Sequence, residues 1–484
     1  MAASSSSGAA NIAPSGLDEL IVPEQTIDDA GFDKINNLLH ACPQLSKWHG
    51  RPRTFSLLRM AGCADDNEIA AAFISQGIND RCIPFSPKYL PAAISSDPEL
   101  LDRVLKYQPF VLTRLGTADS FHGSSFVLEE STGRHRYIED GQLFFDQLKL
   151  LGNGASAQVH RVEHKDSKVH FARKSIERGG SLKKQQSQLQ EFEQELNTLR
   201  KLHHRHLVRC YGSYTDKTSF ALLIWPIADH DAHKPLHEQI PAQLTITDRD
   251  NLRRAFGCLT SGVVYVHKNL IRHKDIKPGN ILVSNNSVYL CDFGVSMAWS
   301  TQERSTTEDK VFKHTEKYSP REVADAEPRN TAADIWSLGC VFLEMITVIK
   351  GVSVKEMEAF LLQRCDHFKA YWHATDEIPA WLDYLKTVTG TFSDHDENDD
   401  APLEWVRLML LDDPKKRIKA EKLLRRISDA SAGLREPTRY IGDRCKTELE
   451  TGEDVTSKPE ADQPVEEARP NAQPQEPINL TIKG

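Results

Sequence analysis

The sequence lacks the cysteine spacings that build metal knuckles or disulfide frames. Its nine cysteines are scattered, without a CxxC pair or a Cys/His cluster at metal spacing. Neither zinc nor a disulfide framework is indicated by that pattern. The first residues, MAASSSSGAANIAPSG, have neither a basic stretch nor an apolar run, so no secretory signal is expected. No run of side chains reaches the ~20 apolar residues of a membrane helix, and no membrane partner is expected. A basic excess is missing too: the formal net charge is −9, against a general nucleic-acid binder. These absences together favour a reducing intracellular setting, expected to be the cytoplasm, with the nucleus as the alternative.

What is present is ordinary for a globular chain. Hydrophobic residues make up 39% and charged residues 27% of 484, enough for two or three domains with sizeable cores. Residues 1–15 are rich in Ser, Ala and Gly and are expected to be disordered. Residues 16–142 form a mixed α/β region of unassigned role. There FDKINNLLHAC and EIAAAFIS carry helical periodicity, and TFSLLRMAG reads as a strand. Residues 143–432 begin strand-rich and end helix-rich, as expected for a small sheet lobe joined to a larger helical one. Residues 433–484 are acidic and Pro-rich, and beyond about Glu436 they are not expected to fold alone.

Several short stretches carry chemistry. LKLLGNGASAQVHRVEH sets Gly152 and Gly154 between two strands. Glycines at such a bend let backbone N–H groups approach phosphate oxygens, although a plain hairpin turn uses the same residues. In HFARKSI, Ala172 and Lys174 share one strand face. A lysine facing inward needs a partner, whereas one facing solvent needs none. The helix LQEFEQELNTLRKL offers Glu195 at the border of its apolar stripe. IRHKDIKPGNILVSNNSVYLCDFG then places Asp275, Lys277 and Asn280 before an apolar strand pair and Asp292 after it.

This last stretch resembles the catalytic loop and metal-binding motif of the eukaryotic protein kinases, in the Ser/Thr form DIKPGN. The resemblance implies a bilobal α+β fold and phosphoryl transfer from Mg-ATP to a protein Ser/Thr hydroxyl. Asp275 would orient the hydroxyl, Lys277 would steady the moving phosphoryl group, and Asn280 and Asp292 would bind Mg²⁺. Gly152 and Gly154 would cover the phosphates, and Lys174, held by Glu195, would grip them. Val159, Ala172 and Leu282 would enclose the adenine. LLIWPIA looks like the hinge, with Ile224 as gatekeeper, Trp225 and Ile227 at the adenine edge, and Asp231 near the ribose. TEKYSPRE, ADIWSLGCVFLEM and LLDDPKKRIKAEKLL resemble further motifs of that lobe. They imply Thr315 and Tyr318 in the docking loop, Asp334 under the catalytic loop, and an Arg417–Glu322 pair.

The chain departs from the family pattern at several places. Ala157 stands at the third loop glycine, and Lys274 replaces the arginine before Asp275. Ser319-Pro320-Arg321-Glu322 replaces the usual end of the activation segment. The stretch 348–402 is long and finishes in SDHDENDD, and a solvated insertion is expected there. Ser305, Thr306 and Thr307 are candidate phosphate acceptors. The alternative reading is a pseudokinase, a nucleotide- or partner-binding module, although Lys174, Asp275, Asn280 and Asp292 are all retained. The N-terminal region loosely resembles leaders that precede such domains in filamentous fungi.

Overall fold

A computed structural model describes residues 16–113 and 135–451, apart from 155–156, 180, 229, 285, 295–296, 299–315, 326–329, 366, 389–399, 433 and 435–438. The first part is a helical unit of α1 (Leu17–Leu20), α2 (Asp29–Ala41), α3 (Pro52–Met60), α4 (Asn67–Ser75), α5 (Ala92–Ser95) and α6 (Pro98–Tyr107). Its own core gathers Ile35, Trp48, Phe55, Leu58, Phe73 and Phe85.

TFSLLRMAG, expected as a strand, forms α3. Two features explain the difference. Pro52 occupies the first helical turn, where a missing N–H costs nothing. The buried Asp80, distant in sequence, accepts hydrogen bonds from the N–H groups of Arg53 (2.9 Å) and Thr54 (2.8 Å). It thereby satisfies the helix start that no local cap covers. Phe55, Leu57, Leu58 and Met60 are all buried, so the helix has no polar face to reveal its period.

The next strands are β1 (His135–Tyr137), β2 (Phe145–Asn153), β3 (Ala157–His164), β4 (His170–Glu177), β5 (Arg209–Thr215) and β6 (Ser219–Trp225), with α7 (Leu182–Leu199) between β4 and β5. They form one sheet in the order β1-β5-β6-β4-β3-β2. All neighbours are antiparallel except β1, which runs parallel to β5. Among the described residues, the strand content of the N-terminal region is β1, which belongs to the small-lobe sheet and carries it upstream of residue 143. Helix α7 buries Leu189, Phe192, Leu196 and Leu199. The helical unit also reaches α7: Arg81 pairs with Glu193 at 2.8 Å. Arg178 at the end of β4 donates to the Cys82 carbonyl at 2.6 Å.

The larger lobe contains β7 (His230–Asp231), α8 (Ile246–Lys268), β8 (Ile271–Arg272), β9 (Ile281–Ser284), β10 (Ser287–Leu290) and β11 (Met297–Ala298). It continues through α9 (Arg321–Ala324), α10 (Thr331–Ile349), α11 (Val354–Leu362), α12 (Ile378–Thr387), α13 (Ala401–Met409), α14 (Ala420–Ser431) and α15 (Asp443–Thr451). Helix α10 is long and apolar enough to cross a bilayer by composition, yet it is almost wholly buried among the other helices. It is the axis of the lobe, not a membrane span.

Two expectations are corrected in this lobe. The stretch 348–402 is packed through most of its length, not solvated. Tyr371, Trp381, Leu382 and Leu385 are buried, and the Trp381 indole donates to Thr347 Oγ1 at 3.0 Å. Most of its acidic run lies outside the described residues. Likewise, the chain after Glu436 does not stand off as a tail throughout. Tyr440, Ile441 and Cys445 are buried against α8. Gly257 makes room for them, since a Cβ there would come within 2.5 Å of Ile441 Cβ. The segment folds by docking on an existing surface, which its own composition does not reveal.

Candidate active site

The β2–β3 hairpin closes at Gly154, whose N–H donates to the Ala157 carbonyl at 2.8 Å. Gly152 pairs with Val159 across the hairpin, and nothing lies within 4 Å of where its Cβ would stand. Across the sheet Val159 pairs with Lys174, and Ala172 with Ile224. Trp225 ends β6, and Ile227 comes after Pro226. Beyond them, β7 pairs with β9 so that Asp231 faces Leu282, while Ala232 N–H donates to the Ile281 carbonyl at 2.8 Å. Val159, Ala172 and Ile224 thus sit on the neighbouring strands β3, β4 and β6, and Asp231 and Leu282 on the paired strands β7 and β9.

Lys174 is the first charged centre. Its Nζ lies 2.8 Å from both carboxylate oxygens of Glu195 and 2.8 Å from Asp292 Oδ1. Burial works against the ammonium charge, but the two acids hold the Lys174 pKa above its ordinary value. Lys174 in turn draws the Asp292 carboxyl below the usual range. Burial pushes Glu195 upward despite the same partner. Glu195 reaches Lys174 because α7 turns its buried Leu196 and Phe192 into the sheet.

Asp292 stands at φ 64°, a left-handed backbone between Cys291 and Phe293. Phe293 is fully buried beside the His273 ring, with centroids 4.7 Å apart. Anchored there, the turn aims its carboxylate at Lys174.

The second centre is Asp275. Its Oδ2 accepts from Lys277 Nζ at 2.6 Å and from Asn280 Nδ2 at 2.9 Å. Asn280 Nδ2 also donates to the Asp275 carbonyl at 2.8 Å, and Cys291 N–H donates to the Asn280 carbonyl at 3.0 Å. That backbone bond sets Asn280 beside the residue preceding Asp292. The loop is held from below by buried Asp334, which accepts from His273 N–H (2.9 Å), Lys274 N–H (2.8 Å) and His267 Nε2 (2.9 Å). Burial alone would raise the Asp334 pKa. The bond and charge of His267 reverse this and lower it. Lys274 itself adopts φ 70°, so its backbone makes the turn while its N–H serves Asp334.

Further down, Arg417 grips Glu322 with both guanidinium nitrogens, one at 2.9 Å, and stacks 4.8 Å over the Trp336 ring. Its Nε and Nη2 also donate to the carbonyls of Leu411 (2.7 Å) and Asp412 (2.9 Å). The two carboxylates, Asp275 and Asp292, therefore hydrogen-bond to different cations, Lys277 and Lys174.

Residues 145–426 match the protein kinase domain, more than half of the chain. The chain belongs to the protein kinase family. Among similar proteins, a mitogen-activated protein kinase kinase kinase 3 of Homo sapiens is 30% identical over 200 residues. That alignment covers 41% of this kinase and 32% of the relative. A mitogen-activated protein kinase kinase, mkk2, of Aspergillus fumigatus is 31% identical over 203 residues, 41% of this chain and 38% of its own. An Aurora kinase of Yarrowia lipolytica is 27% identical over 251 residues, 50% and 62% respectively. This kinase thus spans about a third of the length of the first curated relatives it matches.

Some expected positions fall elsewhere. Thr315, Ser305, Thr306 and Thr307 lie outside the described residues. Tyr318, expected in the docking loop, lies in the short turn Glu316–Tyr318. It is buried, and its hydroxyl donates to Glu344 at 3.0 Å. Glu344 is a hub that the sequence reading missed. It also accepts from His237 (3.0 Å), Lys317 (3.1 Å) and Tyr371 (2.6 Å), joining four chain segments around one buried acid. His273 was missed as well, although it sits in the quoted loop. Its Nε2 donates to the Cys291 carbonyl at 3.0 Å and so ties the two acid-bearing loops together.

Proposed function

We propose that this chain is an ATP-dependent serine/threonine protein kinase, transferring the γ-phosphoryl group of Mg-ATP to a protein hydroxyl. The observation that carries this reading is the division between two charged centres. Lys174 is engaged by Glu195 and Asp292, while Asp275 stands with Lys277 and Asn280. Phosphoryl transfer needs one cation on the phosphates and a separate acid at the nucleophile. A binding module without turnover has no use for the second centre.

In this mechanism Lys174 holds nucleotide phosphates and Glu195 keeps its ammonium aimed. Asp275 accepts a hydrogen bond from the substrate hydroxyl and orients its oxygen for in-line attack, taking up the proton as transfer proceeds. Lys277, hydrogen-bonded to Asp275, balances charge that gathers on the transferring group. The donor set suits a hard cation: Asp292 supplies carboxylate oxygen, and Asn280, having spent its amide hydrogens on Asp275, has Oδ1 to offer. Mg²⁺ there would neutralise phosphate charge.

Thermal unfolding with and without millimolar Mg-ATP tests the binding half of this proposal. Stabilisation by mass action is expected, about 2.7 kcal/mol at a hundredfold excess over Kd. An unmoved unfolding curve would favour a module that has lost nucleotide binding.

A further inference from the structure

The nine cysteines have no metal spacing along the chain, yet the fold gathers two of them with a histidine. His206 lies in the turn before β5, Cys258 midway along α8, and Cys445 in the docked helix α15. The ligand atoms of all three lie within 4.8 Å of one another, and all three residues are buried. His206 Nε2 stands 3.0 Å from Cys445 Sγ. The Gly442 backbone runs beside the cluster, where a Cβ would meet Cys258 Sγ at an ordinary contact distance of 3.5 Å.

We propose that His206, Cys258 and Cys445 form a structural Zn²⁺ site that fastens the C-terminal segment to the kinase domain. The histidine is oriented for this role. Its Nδ1 lies 2.8 Å from the Val288 carbonyl, which only accepts, so Nδ1 carries a proton and Nε2 in the neutral ring presents a lone pair. Metal-ligating histidines are regularly held by such a second bond to a carbonyl. The donor set of two sulfurs and one imidazole nitrogen selects a soft or borderline cation over Mg²⁺ or Ca²⁺. Zn²⁺ is favoured by charge. On binding, each thiol releases its proton to solvent and gives a sulfur electron pair to the ion, with no change of oxidation state. Two thiolates then cancel the charge of Zn²⁺, and a buried site carries no net charge. The three side chains supply three of the four positions of a tetrahedral zinc ion.

The site also has a structural purpose. Around it, Arg205 pairs with Glu448 of α15, with its Nη2 2.5 Å from the carboxylate. These two contacts attach α15 to the turn that leads into β5 of the small-lobe sheet, while Cys258 attaches it to α8. The ion would therefore join the tail, the large lobe and the base of the small lobe at one point.

The test is the metal content of the full chain, purified without chelator, measured by plasma mass spectrometry. One zinc per chain is expected, lost in the Cys258→Ser, Cys445→Ser double variant. After chelation, adding Co²⁺ should restore a thiolate-to-cobalt charge-transfer absorption in the wild type and not in the variant. Should the double variant fail to fold, the wild-type zinc content and cobalt spectrum decide the matter alone. A well-folded wild type that is free of zinc and gives no cobalt absorption overturns the proposal. So does a Cys258–Cys445 disulfide found by mass spectrometry, or copper in place of zinc.

Discussion

At the scale of single residues, the site depends on which charge meets which. Lys174→Met keeps most of the stem's packing and removes the cation, so kcat should fall by on the order of 10²–10³. The unfolding midpoint should move little, and a transfer assay beside a thermal melt reads both. Glu195→Gln should act in the same direction, less strongly, because Lys174 keeps its bond to Asp292. Arg417→Ala is a different kind of change. It leaves buried Glu322 without its guanidinium and should cost roughly 3–5 kcal/mol in a denaturant titration. Asp275, Lys277, Asn280 and Asp292 were legible because they cluster within one short stretch. Glu195 was offered by the helix spacing and paired with Lys174 through the resemblance, whereas the Lys174–Asp292 contact was not foreseen. Glu344 gave no signal at all, since its partners His237, Lys317 and Tyr371 meet only after folding.

Among the elements, α7 is the one on which the site leans, and the helical unit before the kinase domain leans on α7. Arg81 reaches Glu193, two residues before Glu195 on the same helix. The His135 ring of β1 packs edge-on to Phe192, with centroids 5.5 Å apart. Arg81→Ala should therefore reduce phosphoryl transfer several-fold at saturating ATP. Its effect on global stability should stay within about 1 kcal/mol, as for partly exposed ion pairs. Glu193→Ala should give the same loss, and the double variant no more than either alone. Equal rates in all four proteins would show that α7 keeps its position unaided. The elements most readily read were those with a polar face, such as α2, α4 and α7. Helix α3 was misread because it is buried on nearly every side and its start is capped by distant Asp80. The packed stretch 348–402 was misread because its acidic end has the composition of a solvated loop, while Tyr371 and Trp381 find their partners Glu344 and Thr347 only on α10.

Over the whole molecule, two histidines buried as neutral rings contribute a pH dependence of stability, against an opposite contribution from His206, which the Cys258 thiol shifts upward despite burial. His135 lies between the hydroxyls of Ser213 (3.0 Å) and Thr215 (2.8 Å), and burial drives its pKa well below the ordinary 6.5. Burial does the same to His204. Below about pH 6.5 the unfolded chain takes up protons that the folded chain refuses, so stability is lost as pH falls, by up to ~1.4 kcal/mol per unit for each ring. Unfolding free energies measured between pH 7.5 and 5.5 should decline accordingly, and His135→Gln should flatten the slope. The two-lobed plan was legible from the switch of strand-rich to helix-rich sequence. The joining of β1 to the sheet and the docking of α15 were not, because each depends on a surface made by residues elsewhere. The account rests most heavily on the separate duties of Asp275 and Asp292. The direct measurement is transfer of labelled γ-phosphoryl from Mg-ATP to protein, alongside calorimetric Mg-ATP binding, for the wild type, Asp275→Asn and Asp292→Asn. Wild type should bind and transfer, and Asp275→Asn should bind within a few-fold of wild type yet transfer at least about 10²-fold more slowly. Asp292→Asn should lose Mg²⁺-dependent binding and transfer together. Loss of nucleotide in Asp275→Asn with retention in Asp292→Asn, or wild-type transfer no faster than that of Asp275→Asn, would contradict the account.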